Sequence, residues 1–392
     1  MALSPAQPTS PDESVFQGVR KREMAMLAVH WPPMLSGVGD HAFGLAKALS
    51  ASGWNVETTL LDDGPTPGLP AAESVRYARF PSGVANLVRS MLDLGAGRNR
   101  PLLIEFEAHA FHRMWMPHLL PLALRVRGWK VILVYHELWG PKRFTRIGKL
   151  LLLNAPHRVV VSTEWHAEGV ARFRRLGRSP DIIPCPSNIG HHGEGDRRLL
   201  RLRYGIQLDD LILVFLGFVG PQHCVQEVLE GLATVGREFP QVKLSVIGHF
   251  DPTRNGYHQD LERSVRELGL TSRVTWHGRV EDEAAVSRLL TVADIGVVPY
   301  REGVGENNTA FAAMASHGLP IVTTCGPRAA TMMRERVAEF VEPSAHGIAT
   351  GILGLLKDGD RRAELAKSAP EWAAGRDWEV VAERFGAILG TA

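Results

Sequence analysis

The sequence predicts an α/β protein in which two doubly wound parallel-sheet domains face each other across a cleft. Apolar strand segments alternate with amphipathic helical segments along most of the chain, which is typical of parallel sheets. The alternation is interrupted once, by the Pro- and Gly-rich stretch at residues 179–196, and then restarts. A chain of 392 residues also exceeds what one hydrophobic core usually supports.

These features divide the chain into four predicted parts. Residues 1–22 are polar and rich in Pro and Ser, so we expect a disordered tail. Residues 23–190 and 191–372 are the two Rossmann-like domains. The segment EWAAGRDWEVVAERFGAIL is amphipathic, and residues 373–392 are therefore predicted to form one helix that crosses back to the first domain.

The composition limits the function classes. A net charge of +2 argues against a dedicated nucleic-acid binder. Cys185, Cys224 and Cys325 lie far apart without metal-ligand spacing, which indicates neither a disulfide framework nor a zinc site. No apolar run has transmembrane length and the N-terminal residues are polar, so we expect a cytoplasmic protein with small-molecule partners. A basic face beside the LLLL segment could rest on anionic lipid, but a solvated surface is the favoured interpretation.

The first domain begins with the strand MAMLAVHWPP, a Gly loop SGVGDH and the helix AFGLAKALSASGW. The Gly loop alone lacks the full dinucleotide fingerprint. Further strands are predicted at NVETTLLD, VRYARF, RPLLIEFE, WKVILVYHE and HRVVVSTEW, with helices at SGVANLVRSMLDL, MPHLLPLALRV and TRIGKLLLLN.

Acidic residues and histidines collect at the carboxyl ends of these strands, which meet at one crevice in a doubly wound sheet. They are Glu105, Glu107, His109, His136, Glu137, Glu164 and His166. We interpret them as a negatively biased substrate site. The alternative is that they are ordinary helix caps and solvated loop residues.

The second domain contains the strands DLILVFLGF, VKLSVIG and RVTWHGRV, with helices between them and at EDEAAVSRLLTVA. The segment up to Thr324 then reads as a buried strand ADIGVVPY, a Gly-rich turn REGVGENN, a small-residue helix TAFAAMASHG and a strand LPIVTT. The amino end of that helix is predicted to bind an anion such as a diphosphate. The alternative is a routine crossover helix.

Taken together, these motifs resemble the GT-B nucleotide-sugar glycosyltransferases, in particular the retaining family 4 of group 1. The resemblance is carried by WPPMLSGVGDHAFGLAKALSASGWNV, IIPCPSNI, LGFVGPQHCVQEVLEGL, WHGRVEDEAAVSRLLTVADIGVVPYREGVG, AMASHGLPIVTT and RDWEVVAERF. It implies a GT-B fold with an N-terminal acceptor domain and a C-terminal donor domain.

The resemblance also implies roles for individual residues. His136 lies beside the transferred sugar and Glu302 contacts sugar hydroxyls. The residues expected at the donor phosphates are Gly37, Val38, Gly39, Gly217, His223, Gly303, Val304, Gly305, Asn307, Asn308 and Thr309. Those at the nucleotide base are Gly278, Arg279 and Val280. The acceptor side is expected to contain Asp40, Glu105, Glu107, His109, Glu137 and Glu164.

Several positions depart from the pattern of the family that the chain resembles. His223 stands where the family usually has a Lys that neutralises the diphosphate, and Cys224 follows in place of the usual Gly. Ala312 stands at the second Glu of the family's paired-Glu motif. Some members have an Arg-rich loop in this region, where this chain has Asn307, Asn308 and Thr309. Phosphate binding is then expected to use backbone N–H groups and neutral side chains.

The resulting hypothesis is a retaining hexosyltransferase with no cofactor beyond its co-substrate, a UDP-sugar being favoured. No DxD motif stands in the donor loop, so metal is not expected. The acidic crevice favours an amino-bearing acceptor, such as an aminocyclitol or aminoglycoside precursor of bacterial antibiotic biosynthesis. The alternatives are a transferase acting on glycans or lipid-linked polysaccharide, another sugar-nucleotide enzyme such as an epimerase, and a non-catalytic GT-B binding protein.

Overall fold

The computed structural model describes residues 22–34, 36–61, 75–78, 80–107, 116–136, 146–191 and 195–391. These residues form two α/β lobes, each built around a parallel sheet. The predicted acceptor-side residues His109 and Glu137 lie outside the described residues, as does almost all of the predicted tail.

The first lobe is an alternation of strands and helices. Its strands are β1 (Arg22–Ala28), β2 (Trp54–Leu61), β3 (Val75–Ala78), β4 (Pro101–Phe106), β5 (Lys130–Tyr135), β6 (Arg158–Val161) and β7 (Asp181–Ile182). Its helices are α1 (Gly37–Ala51), α2 (Val84–Leu94), α3 (Leu120–Val126), α4 (Arg146–Asn154) and α5 (Glu164–Ala171), with a 3-10 helix at Met116–Leu119.

The second lobe repeats the alternation. Its strands are β8 (Leu211–Leu216), β9 (Val242–Ile247), β10 (Val274–Gly278), β11 (Ile295–Val297), β12 (Ile321–Thr324) and β13 (Glu339–Val341). Its helices are α6 (Arg197–Arg203), α7 (Val225–Glu238), α8 (Gly256–Glu267), α9 (Glu283–Val292), α10 (Thr309–Ser316), α11 (Ala330–Glu335), α12 (Ala345–Lys357) and α13 (Gly359–Ala374), with 3-10 helices at Pro221–His223 and Pro327–Ala329. A last helix, α14 (Trp378–Thr391), follows.

Both sheets have the doubly wound strand order. The first runs β3-β2-β1-β4-β5-β6-β7 and the second β10-β9-β8-β11-β12-β13. The order reverses between β1 and β4 in one sheet and between β8 and β11 in the other. Ligands of such sheets bind outside the carboxyl ends of the strands at these reversals. The fold therefore points to the loops after β1, β4, β8 and β11.

The strands are apolar because helices cover both faces of each sheet. Along β1, Met24 and Met26 enter one buried cluster, whereas Ala25 and Leu27 enter the cluster on the opposite face. The second sheet has the same two-sided arrangement. Full burial of such a side chain contributes about 1.5–3 kcal/mol to folding. The two cores therefore hold the strands in place, together with the loops at their carboxyl ends.

Most of residues 373–392 form one helix, α14, which begins at Trp378 rather than at residue 373. Gly375 caps α13, and a short turn separates α13 from α14. In α13, Trp372 packs edge-on against Phe311 of α10, with ring centroids 5.1 Å apart. In α14, Phe385 is buried in the core of the first lobe. The crossing between lobes is therefore the turn between α13 and α14.

No helix in the described part of the chain combines the length and apolar character that crossing a bilayer requires.

Candidate functional site

The glycine motif after β1 lies in the first turn of α1. Ser36 is the N-cap, and its Oγ accepts a hydrogen bond from the Gly39 N–H at 3.2 Å. The prediction of a loop holding Gly37, Val38 and Gly39 is wrong, because a Ser cap starts the helix at Gly37. A Cβ at Gly39 would lie 3.0 Å from the carbonyl carbon of His30. Glycine there lets α1 pack closely against the segment after β1.

A buried carboxylate between two imidazoles occupies the floor of the cleft in the first lobe. Glu105, near the end of β4, is 1% exposed. Its Oε2 lies 2.5 Å from His136 Nε2, and its Oε1 lies 3.3 Å from His41 Nδ1. Burial alone would raise the pKa of Glu105, but the two histidines lower it to about 2. Glu105 is thus an ionised partner of both rings.

This arrangement corrects the predicted place of Glu105. The sequence indicated a carboxylate open to an acceptor, whereas both oxygens face imidazoles beneath the cleft surface. His41 was not predicted as a site residue. It comes near Glu105 because α1 packs over the carboxyl end of β4, a contact between residues far apart in the sequence.

The same three side chains have a donor set that a metal ion accepts. The ligand atoms of His41, Glu105 and His136 lie within 4.8 Å of one another. Two imidazoles and a carboxylate are typical zinc ligands. Two ligand atoms of a tetrahedral zinc ion are about 3.3 Å apart, however. The 2.5 Å between His136 and Glu105 is a hydrogen-bond distance instead. This geometry fits a hydrogen-bonded cluster better than a zinc centre.

A second carboxylate remains accessible at the rim of the first lobe. Glu107 Oε2 lies 3.0 Å from His30 Nδ1 and 3.4 Å from the Ser36 hydroxyl. The Glu107 side chain is 18% exposed. Of the two predicted acceptor carboxylates at the end of β4, Glu105 is buried and Glu107 remains partly exposed to solvent.

The predicted base-binding segment lies opposite the start of α1. Gly278 ends β10 with φ +67, and Arg279 and Val280 follow it. Burial raises the pKa of Asp40 in α1, whereas the positive charge of the Arg279 guanidinium lowers it. Asp40 and Arg279 therefore interact electrostatically across the cleft.

The loop after β8 carries His223 at the end of a 3-10 helix. Its ring meets Tyr300 edge-on, with centroids 4.7 Å apart, and burial lowers its pKa. His223 is therefore neutral at pH 7. Cys224 adopts a left-handed conformation with φ 48, and burial raises the pKa of its thiol to about 11. Gly217, at the start of this loop, has φ +137 and can hold it because it lacks a Cβ.

The loop after β11 is a tight turn around Glu302. Gly303 has φ +81, and Val304 is buried. A Cβ at Gly303 would lie 2.9 Å from the backbone of Gly326, so the two backbones are in close contact. Glu302 Oε2 lies 3.1 Å from Arg328 Nη2, and its side chain is 65% exposed. The turn therefore presents an ion pair at its surface.

The helix α10 begins directly after this turn, as predicted. Asn308 is its N-cap, and Oδ1 accepts from the Phe311 N–H at 2.7 Å. Thr309 is the first helical residue, and Asn307 lies beside the cap. Ala312 is 2% exposed inside the core. A Glu at position 312 would be buried in that core, consistent with the small residue found there.

Contacts across the cleft bring the two lobes together near α10. A Cβ at Gly305 would lie 3.6 Å from a methyl group of Thr163 in the first lobe. Glu164 accepts from the Thr331 hydroxyl at 2.9 Å and forms an ion pair with Arg334. Glu164, predicted at the acceptor, is therefore engaged by the second lobe.

Glu306 is a buried carboxylate in this contact that was not predicted as a site residue. It is 5% exposed, and burial raises its pKa, while hydrogen bonds from Thr331 and the Glu164 backbone act the other way. Its Oε2 has no hydrogen-bond partner within the described residues.

Known proteins share sequence and fold features with this chain. Residues 210–358 match the family described as glycosyl transferases group 1. This part of the chain is therefore similar to the group 1 glycosyltransferases.

Relatives extend the similarity into the first lobe. D-inositol 3-phosphate glycosyltransferase of Mycobacterium tuberculosis is 25% identical over 252 residues, which cover 61% of this chain and 50% of that protein. The chain thus spans about half the length of the curated relatives it matches.

Solved structures share the fold over 94% of the chain. HepE of Anabaena in complex with UDP matches over its full length with a TM-score of 0.76 at 15% identity. Sucrose-phosphate synthase from Thermosynechococcus elongatus matches over 98% of its length with a TM-score of 0.70 at 18% identity. The predicted GT-B fold is confirmed.

The matched residues 210–358 contain the turn at Glu302, the cap at Asn308 and His223, all at the strand-order reversal of the second sheet. The residues predicted at the donor phosphates and at the nucleotide base, apart from Gly37, Val38 and Gly39, all lie within this matched range. Their individual roles, like those of the glycines in α1, stay predictions. Arg328, which no sequence motif indicated, lies in the same range.

Proposed function

We propose that the chain transfers a sugar from a nucleotide diphosphate sugar, a UDP-sugar being favoured, to a hydroxyl group of a small acceptor with retention of anomeric configuration. The main support for this proposal is the position of α10. The helix begins at the strand-order reversal of the second sheet, and the loop preceding it contacts Thr163 of the first lobe. A helix amino end favours phosphate through its N–H groups and its partial positive charge.

In the proposed reaction the bond between the anomeric carbon and the diphosphate oxygen breaks, and its electron pair leaves with the diphosphate. The acceptor oxygen forms the new bond on the same face, and its proton passes to the leaving phosphate. Because Glu105 engages Nε2 of His136, Nδ1 remains to hydrogen-bond the sugar. Closure of the cleft excludes water from the site.

Metal-independent transfer is part of this proposal. The two carboxylates of the turn before α10 are engaged separately, Glu302 with Arg328 and Glu306 with Thr331. They do not converge as a pair that could hold a cation on the diphosphate.

Donor binding is tested by thermal unfolding with UDP, UDP-glucose and uridine. A ligand at 100 times its Kd stabilises the folded state by about 2.7 kcal/mol. We expect UDP and a UDP-sugar to raise the Tm by several degrees, with a smaller effect of uridine because it lacks phosphate. No stabilisation by any nucleotide diphosphate or its sugars at millimolar concentration would reject the transferase proposal and favour a protein that binds another partner.

The acceptor is proposed to carry an amine, as in aminocyclitols and aminoglycoside precursors. Support comes from two carboxylates of the first lobe, the partly exposed Glu107 and Asp40 in the first turn of α1. We expect Glu107→Gln to raise the KM for an amino-bearing cyclitol roughly three- to tenfold, the size of a partly exposed charge contact.

The matched control is the neutral cyclitol of the same shape, whose KM should be the same for the wild type and the Gln variant. Equal effects on both acceptors would show that Glu107 supports the loop through His30 and does not recognise an amine.

A further inference from the structure

Arg328 is held against the turn that precedes α10 by both its backbone and its side chain. Its N–H donates to the Glu302 carbonyl at 3.3 Å, and its Nη2 lies 3.1 Å from Glu302 Oε2. The close backbone contact between Gly303 and Gly326 sets the distance between these two segments. The guanidinium therefore has a defined position beside the turn.

The guanidinium also lies between the lobes. Its central carbon is 5.0 Å from the centre of the Trp165 ring in the first lobe. Burial lowers the pKa of His166 to about 4, and the positive charge of Arg328 and the ring of His136 act in the same direction. Arg328 therefore contacts the segment of the first lobe that carries Trp165 and the buried His166.

Arg328 lies close to the amino end of α10 as well. Burial raises the pKa of Tyr300 to about 12, while a hydrogen bond with the cap residue Asn308 and the charge of Arg328 lower it. The carbonyl oxygen of Arg328 also lies 3.6 Å from the position of a Cβ at Gly305, in the turn that leads into α10. On its other side, Tyr300 contacts His223, which is neutral at pH 7.

Donor capacity remains on this side chain. A guanidinium has five N–H groups. The Nη2 of Arg328 forms the ion pair with Glu302. Its Nε is buried and has no hydrogen-bond partner within the part of the chain that the structure describes. A buried donor without a partner is costly, and an anion with several oxygens would satisfy it.

We propose that Arg328 binds the diphosphate of the nucleotide sugar and neutralises the charge that develops on it as the sugar leaves. The inference rests on the proposed function, because it concerns the same donor site. The neutral ring of His223 and the N–H groups of α10 then complete the site, and Arg328 supplies its permanent positive charge.

The test is calorimetric titration of UDP and uridine into the wild type, Arg328→Gln and Arg328→Lys. Loss of charged hydrogen bonds to phosphate should weaken UDP binding by the Gln variant about 10- to 100-fold, with uridine affinity unchanged. The Lys variant should recover part of the loss, because it restores the charge but not the fork of donors.

Arg334→Gln is the matched control, since Arg334 also joins the lobes, through Glu164. It should leave the ratio of UDP to uridine affinity unchanged. If Arg328→Gln binds UDP as tightly as the wild type, or loses UDP and uridine equally, the inference is refuted while the proposed function stands. A wild type that binds no UDP refutes both.

Discussion

Glu105→Gln is expected to lower the free energy of unfolding by about 3 kcal/mol at pH 7 and to reduce sugar transfer roughly 10- to 100-fold. The substitution keeps the shape of the side chain but removes the negative charge between His41 and His136. The stability loss follows from the pKa of Glu105, which drops from the usual 4.5 to about 2 in the folded chain. Activity falls because His136 loses the partner that fixes its orientation.

The pH dependence of stability checks the cause. A carboxyl group with a lowered pKa stabilises the fold above its ordinary pKa of 4.5, and this contribution disappears as the pH falls towards 2. Calorimetric unfolding should show the wild type losing its advantage over Glu105→Gln in that window. Glu364→Gln, whose side chain is 68% exposed, should differ little from the wild type at any pH. Parallel wild-type and Glu105→Gln curves would contradict the assignment.

Gly326→Ala is expected to abolish donor binding and to destabilise the second lobe by about 1–3 kcal/mol. A Cβ at position 326 would lie 2.6 Å from the Gly303 amide nitrogen and closer still to the Glu302 carbonyl. Backbone atoms cannot move aside as a flexible side chain can. The turn must therefore shift, taking with it Glu302 and the anchor of Arg328.

A glycine in open space provides the control. Gly354 in α12 has no heavy atom within 4 Å of an added Cβ. Gly354→Ala should keep donor affinity and gain up to about 1 kcal/mol of stability, because Ala favours the helix. The measurements are UDP titration and thermal unfolding of both variants. Normal UDP affinity in a folded Gly326→Ala variant would show that the turn does not form the donor site.

The alternation of strands and helices was enough to predict the two-lobe fold, because each apolar segment must be covered on both faces of a parallel sheet. The local rules also located α10, since a Gly-rich turn is followed there by a run of small residues. They failed at α1, where Gly37 and Gly39 suggested a loop although the cap at Ser36 starts a helix.

The side-chain partners in the site were beyond such reasoning. Glu105 and His41 come from segments that the sheet topology brings together, and their contact turns an apparently open carboxylate into part of a buried cluster with two imidazoles. The same holds for Glu164, whose partner Arg334 lies in the other lobe. Sequence spacing carries no information on such pairs. The cleft is consequently less acidic than the strand-end residues suggested.

The double crossing of the chain has a consequence for motion. The polypeptide passes between the lobes once after β7 and again between α13 and α14. Two tethers restrict relative movement to a swing about the line that joins them, whereas a single tether would also allow twisting. Trp378, at the start of α14, packs 5.7 Å from the ring of His41. One of the two tethers therefore adjoins the pair His41 and His136, so opening of the lobes would displace these two rings less than the parts of the cleft farther from it.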